Sequence, residues 1–194
     1  MLPAALIEQI RKLHGGPERA YHAWSHPQAL LGLLAEVRGQ LADPLAVECA
    51  ILLHDAVYDP TRADNEAKSA VLARDLLAGV VPDATLERAV SLIEATARHE
   101  VPAGMPADEA ADCRVFLDMD LSILGADPEA FDGYEAGVRH EYRHVPDAAF
   151  RQGRAAVLER FLGRERLYMS GWGHQRFEAK ARENLARSLR ALRS

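Results

Sequence analysis

The chain has 194 residues, a length that fits one domain with a full hydrophobic core. It is 48% hydrophobic and 27% charged with a formal net charge of −6, a balance that argues against a broad nucleic-acid or anionic-membrane surface. Two cysteines, Cys49 and Cys113, are too few for a disulfide scaffold. The N-terminal stretch has no basic region ahead of an apolar run, and no span approaches the about 18 apolar residues of a membrane helix, so a cytoplasmic protein is expected.

Periodicity predicts helix almost everywhere. Leu2, Leu6, Ile10 and Leu13 mark a first amphipathic helix, stopped at Gly15-Gly16-Pro17. After Pro27, the residues Ala29, Leu30, Leu33, Leu34, Val37 and Leu41 mark a second. Asp43 and Pro44 open a third as N-cap and first-turn proline, and Pro60 closes it. Between Leu45 and Leu53 nearly every residue of this third helix is apolar, as in a helix buried on most sides. Further helices are expected over Asp64–Leu77, Asp83–Arg98, Asp108–Leu124, Pro128–Arg143, Pro146–Leu162 and Gln175–Leu192. No stretch alternates as a half-buried strand requires. The expectation is an all-α, single-domain bundle of about seven to nine helices spanning residues 1–194, built around the buried third helix.

At the end of that helix stand His54 and Asp55. Burying an ionised carboxylate costs several kcal/mol unless a cation or several donors meet it. Adjacent helical residues point about 100° apart, yet an imidazole and a carboxylate can still reach one ion lying between them. Two ligands are too few for a stable site. The helix order allows His26, near the start of the second helix, and Asp118 or Asp120, on the sixth, to converge with them.

Taken together, these residues resemble the HD superfamily of metal-dependent phosphohydrolases, in particular a bacterial branch of predicted enzymes. The resemblance rests on Tyr21-His22 to His26, His54-Asp55 to Asp59, Asp64-Asn65-Glu66 to Ser69-Ala70, and Asp118 to Gly125. It runs from about Arg19 to Asn184, with its core motifs over about residues 19–125 and C-terminal helices over 128–192 packing on that core. The family pattern implies His26, His54, Asp55 and one later aspartate as metal ligands. Asp120 is preferred because a leucine, Leu121, follows it; Asp118 is the alternative. Two imidazoles and two carboxylates without a thiolate suit one Mn²⁺, Co²⁺, Ni²⁺, Fe²⁺ or Zn²⁺ ion, and Mg²⁺ is compatible. Only His99 lies where two-metal relatives add histidines, which favours a single ion.

The implied chemistry is attack of metal-activated water on a phosphoester or phosphoanhydride of a small substrate, with nucleotides as the default class. Asp59, about one turn beyond Asp55 if the helix continues, is the first candidate for proton transfer and Glu66 the second. Arg19, His22, Lys68 and His99 are candidate phosphate donors, and Asn65 and Ser69, four apart on the fourth helix, could orient a sugar or a water. Several of these residues also have structural uses. His22 can stack on Trp24 or Tyr21, Asp59-Pro60 can end a helix, Asp64-Asn65-Glu66 can cap one, and His99 can be a solvated histidine. Arg139, His140, Arg143 and His144 read as a charged helix face, and Trp172 between two glycines as a turn. A metal- and nucleotide-binding regulatory module without turnover is the alternative function. A nucleic-acid partner is not expected, and the chain is expected to be a monomer or a homodimer.

Overall fold

The computed structural model describes residues 2–194, and all regular structure in them is helical, with no strand among the described residues. Nine α-helices follow in chain order: α1 Ala4–Leu13, α2 Ser25–Val37, α3 Pro44–Leu53, α4 Asn65–Leu77, α5 Asp83–Ala95, α6 Ala107–Asp120, α7 Pro128–Glu141, α8 Asp147–Leu162 and α9 Gly171–Arg193. Short 3₁₀ turns occupy Arg38–Gln40 and Leu121–Gly125. No helix of the described residues is long and apolar enough to cross a membrane. The chain divides into two compact units, the first ending at Met119 and the second comprising Asp120–Ser194.

In the first unit α3 is the central element. Ala46, Val47, Cys49, Ala50, Ile51, Leu52 and Leu53 are all buried, and the helix packs against α2, α4 and α5. Its start is fixed by polar contacts that its own sequence only half announces. Asp43 Oδ1 accepts from the Leu45 and Ala46 amides, so it caps the helix as expected. Thr85 on α5 donates to the other oxygen of Asp43 at 2.8 Å. Asp112, buried on α6, accepts from the Ala42 and Asp43 amides at 2.9 and 2.8 Å. Three helices are thus tied at one point through a chain of charged acceptors.

Its end differs from expectation. α3 stops at Leu53, not at Pro60, with His54 as C-cap. The expectation that Asp59 lies one helical turn beyond Asp55 is therefore corrected: residues 54–64 form a non-helical strap. The physical reason lies outside the segment. Arg19 Nη1 donates to the Asp55 carbonyl and Nη2 to the Ala56 carbonyl, at 2.8 and 3.0 Å, so these acceptors are satisfied without a further helical turn. α2 begins two residues before Pro27, which therefore stands in its first turn. His22 precedes this helix and His26 lies in it, so the two do not share a helix face. α5 ends at Ala95 rather than Arg98, and His99 follows with φ +50°, a left-handed conformation that interrupts any helix.

The second unit is organised on α9 and the Leu121–Gly125 turn. A Cβ at Gly125 would fall 2.7 Å from the Phe177 backbone and side chain, so only glycine permits this approach. Tyr168 Oη donates to the Leu121 carbonyl, and Asn184 Nδ2 to those of Leu124 and Ala126. α9 starts at Gly171, earlier than expected, because Ser170 caps it by accepting from the Gly173 amide. Trp172 accordingly sits in a helical first turn instead of a loop.

Candidate metal centre

α2 and α3 bring two histidines face to face. His26 is 7% and His54 2% exposed, and their Nε2 atoms lie 3.2 Å apart. The proton on His54 can be assigned from its other nitrogen. Nδ1 lies 3.1 Å from the Ile51 carbonyl and 3.3 Å from that of Ala50, both of which only accept, so Nδ1 carries the hydrogen and Nε2 presents its lone pair. The end of α3 thus fixes the tautomer that a metal ligand requires. Phe116 of α6 meets the His54 ring edge to face at 5.7 Å and closes its apolar side.

Asp55 joins the pair from the second residue of the strap. Its Oδ2 is 3.1 Å from His54 Nε2 and 3.7 Å from His26 Nε2. Burial opposes ionisation of this carboxyl, but the charge that His54, His22 and His26 carry when protonated, with a hydrogen bond from His54, outweighs it and holds Asp55 well below the usual carboxylate range. Asp120 closes α6, the helix whose preceding residues belong to the first unit. Its carboxylate and the two imidazoles have ligand atoms within 4.8 Å of one another, a group that could hold a metal ion. Neither Asp55 nor Asp118, which stands two residues earlier on α6 and is fully buried, is in that group.

The spacing has a direct chemical reading. Two donors each about 2.1 Å from one ion are separated by about 3.0–3.4 Å at octahedral or tetrahedral angles. The 3.2 Å between the Nε2 atoms and the 3.1 Å between Asp55 and His54 fall in that interval, and 3.7 Å corresponds to a wider angle at the same ion. Two imidazole nitrogens and the Asp120 carboxylate are a donor set that a divalent cation fits, and Asp55 lies against both imidazoles. Thiolates play no part: burial pushes both Cys49 and Cys113 up to about 12.

The other residues singled out from sequence divide into those beside this centre and those bound elsewhere. His22 stacks on Tyr58 with ring centroids 4.2 Å apart and 24° between planes, and it meets Tyr21 edge-on at 5.0 Å. Arg19 directs its guanidinium to three backbone carbonyls, those of His22, Asp55 and Ala56, and so braces the strap. Asn65 and Ser69 turn their polar atoms onto the backbone of Asp59 and Val57. Asp59 Oδ1 accepts from the Thr61 amide and hydroxyl at 2.9 and 2.6 Å, an Asx-type turn. Lys68 lies 3.7 Å from Asp64, on a side chain 46% exposed, and Glu66 sits in the first turn of α4.

One histidine escaped the sequence reading. His14, 2% exposed, donates from Nε2 to the Leu52 carbonyl at 2.9 Å, leaving Nδ1 buried without a partner, and its ring lies edge-on to Trp24. Burial lowers it to about 4, so it is neutral at physiological pH. A lone histidine at a helix end carries no motif that would have marked it. No family profile, curated protein or solved structure matches the chain.

Proposed function

We propose that the protein is a metal-dependent phosphohydrolase of the HD type, acting on a small phosphorylated substrate of the nucleotide class. The observation that carries this reading is the convergence of His26 Nε2, His54 Nε2 and the Asp55 carboxylate at ligand spacing, with Asp120 joining the two imidazoles within 4.8 Å. It is supported by the order of the four motifs along the chain.

When bound, a divalent ion supplies Lewis acidity: it lowers the pKa of water towards about 7 and draws charge from the phosphoryl group. Four protein donors leave one or two positions open on an ion that accepts five or six ligands. The buried imidazoles of His26 and His54 would hold the ion. Asp55, whose carboxyl is held below the usual range, would contribute negative charge beside the ion. Asp59, whose backbone Asn65 locks on both polar atoms, is the first proton carrier in this reading, and Glu66 the second. His22 is the phosphate donor in this reading, its ring centroid 6.3 Å from that of His26. Arg19, Asn65 and Ser69 act on the strap instead of on substrate.

The test is phosphate release from a panel of nucleotides with Mn²⁺, Co²⁺, Ni²⁺ or Mg²⁺, alongside metal analysis of the purified protein. Turnover of one substrate class is the expected outcome. Bound metal without release from any nucleotide would overturn the hydrolase reading and favour a regulatory module.

A further inference from the structure

The strap between α3 and α4 is held by its backbone. Ser69 Oγ accepts from the Val57 amide at 3.0 Å and faces the Val57 carbonyl at 3.3 Å. Asn65 Oδ1 accepts from the Asp59 amide at 3.1 Å while Nδ2 donates to the Asp59 carbonyl at 2.9 Å. Asn65 and Ser69 are one turn apart on α4, about 5–6 Å, and residues 57 and 59 are about 6–7 Å apart in extended chain, so the two spacings match. Pairing both polar atoms of alternate residues is what a neighbouring β-strand does. Here two side chains of a helix do it.

The residue between the two clamped positions is Tyr58, whose ring lies flat against His22. Arg19, which ties the Asp55 and Ala56 carbonyls, also lies 5.4 Å from the Tyr58 ring centroid and donates to the His22 carbonyl. Backbone and ring of His22 are thus both fixed by groups that belong to, or brace, the strap. Stacking uses only the ring face, and the nitrogens of an imidazole make their hydrogen bonds in the ring plane, so the stack sets the direction of the imidazole without using a donor. His22 is not in the ligand group, yet its ring centroid lies 6.3 Å from that of His26.

We propose that His22 is a phosphate-oxygen-binding residue beside the metal centre and that Tyr58 is its positioning residue, set in turn by Asn65 and Ser69. This rests on the phosphohydrolase reading for the identity of the anion. It accounts for a polar ladder on α4 whose atoms face a backbone and not a substrate.

The experiment uses the full chain loaded with Mn²⁺ and titrates inorganic phosphate by calorimetry, with metal affinity measured separately. Tyr58→Ala and Asn65→Ala are expected to weaken phosphate binding about tenfold, the value of one hydrogen bond to a charged group, with metal affinity unchanged. Tyr58→Phe keeps the stacked ring and is expected to bind phosphate within about twofold of the wild type, since only the ring face is used. Tyr58→Ala binding phosphate like the wild type overturns the proposal, as does a parallel loss of metal affinity, which would mark a purely structural strap. A wild-type protein that binds metal but no phosphate also overturns it. The hydrolase reading stands or falls separately, on turnover of the nucleotide panel.

Discussion

Two regions of this molecule bury charge, and they treat it in opposite ways. In the second unit, Glu178 is met by the Leu167 and Tyr168 amides and by Arg182. Burial would raise its carboxyl, but those donors outweigh it and hold it below the usual range. In the same unit Arg154 forms an ion pair with Glu135, which also accepts from Ser188, and covers the Tyr134 ring. Glu178 and Glu135 each have protein donors there. At the end of α3 the pattern differs: the His26 and His54 imidazoles meet each other, Asp55 lies against both, and Asp120 joins the two imidazoles in a group that could hold a metal ion. The one group is held by protein donors and the other could hold an ion, and the difference is read from donors and acceptors, not from burial alone.

Removing a member from each region should separate the two. Asp55→Ala is expected to lower metal affinity by at least about 100-fold, because loss of even an outer partner of a ligand costs 10–100-fold; calorimetric titration with Zn²⁺ or Mn²⁺ measures it. Full metal occupancy in that variant would remove Asp55 from the site. Asp59→Asn should retain metal while the rate of phosphate release falls by about 100-fold, the usual contribution of a general acid or base. An unchanged rate would leave Asp59 with only its Asx turn.

In the second unit, Glu178→Ala should leave metal affinity untouched and destabilise the fold by about 2–4 kcal/mol, since two amides and Arg182 lose their acceptor. Denaturant unfolding checks this, and a loss of metal with little loss of stability would contradict the contrast. The smallest effect concerns His14. Its folded value, about 4, lies below that of an unfolded histidine, about 6.5, so it contributes no penalty above pH 6.5. As pH falls from 6.5 towards 4 the unfolded chain takes up a proton that the folded chain refuses, and stability drops, by up to about 2 kcal/mol at pH 5. The difference in unfolding free energy between pH 7 and pH 5 should therefore be smaller in His14→Phe than in the wild type.

Much of this architecture was legible in the sequence because it is local. The Asp43-Pro44 start of α3, its apolar run and the proline-bounded starts of α7 and α8 are where capping and periodicity place them. What was not legible depends on distant partners. Periodicity carries α3 towards Pro60, but Arg19, some 36 positions away in the chain, satisfies the carbonyls that follow Leu53. The four-residue spacing of Asn65 and Ser69 was visible; that their polar atoms face the strap was not. Choosing Asp120 over Asp118 rested on resemblance, since alternation at the end of α6 says only that the two acids point differently. The ligand-spaced group contains Asp120, whereas Asp118 is fully buried outside it.

The central claim is that these four side chains hold one divalent ion. The most direct measurement is titration of metal-free protein with Zn²⁺ or Mn²⁺, followed both by calorimetry and by the histidine ring nitrogen resonances. The account predicts saturable binding of one ion per chain, a joint shift of the His26 and His54 Nε2 signals, retention in Asp118→Ala and loss in Asp120→Ala. Absence of saturable binding, or a shift confined to other histidines, would contradict it.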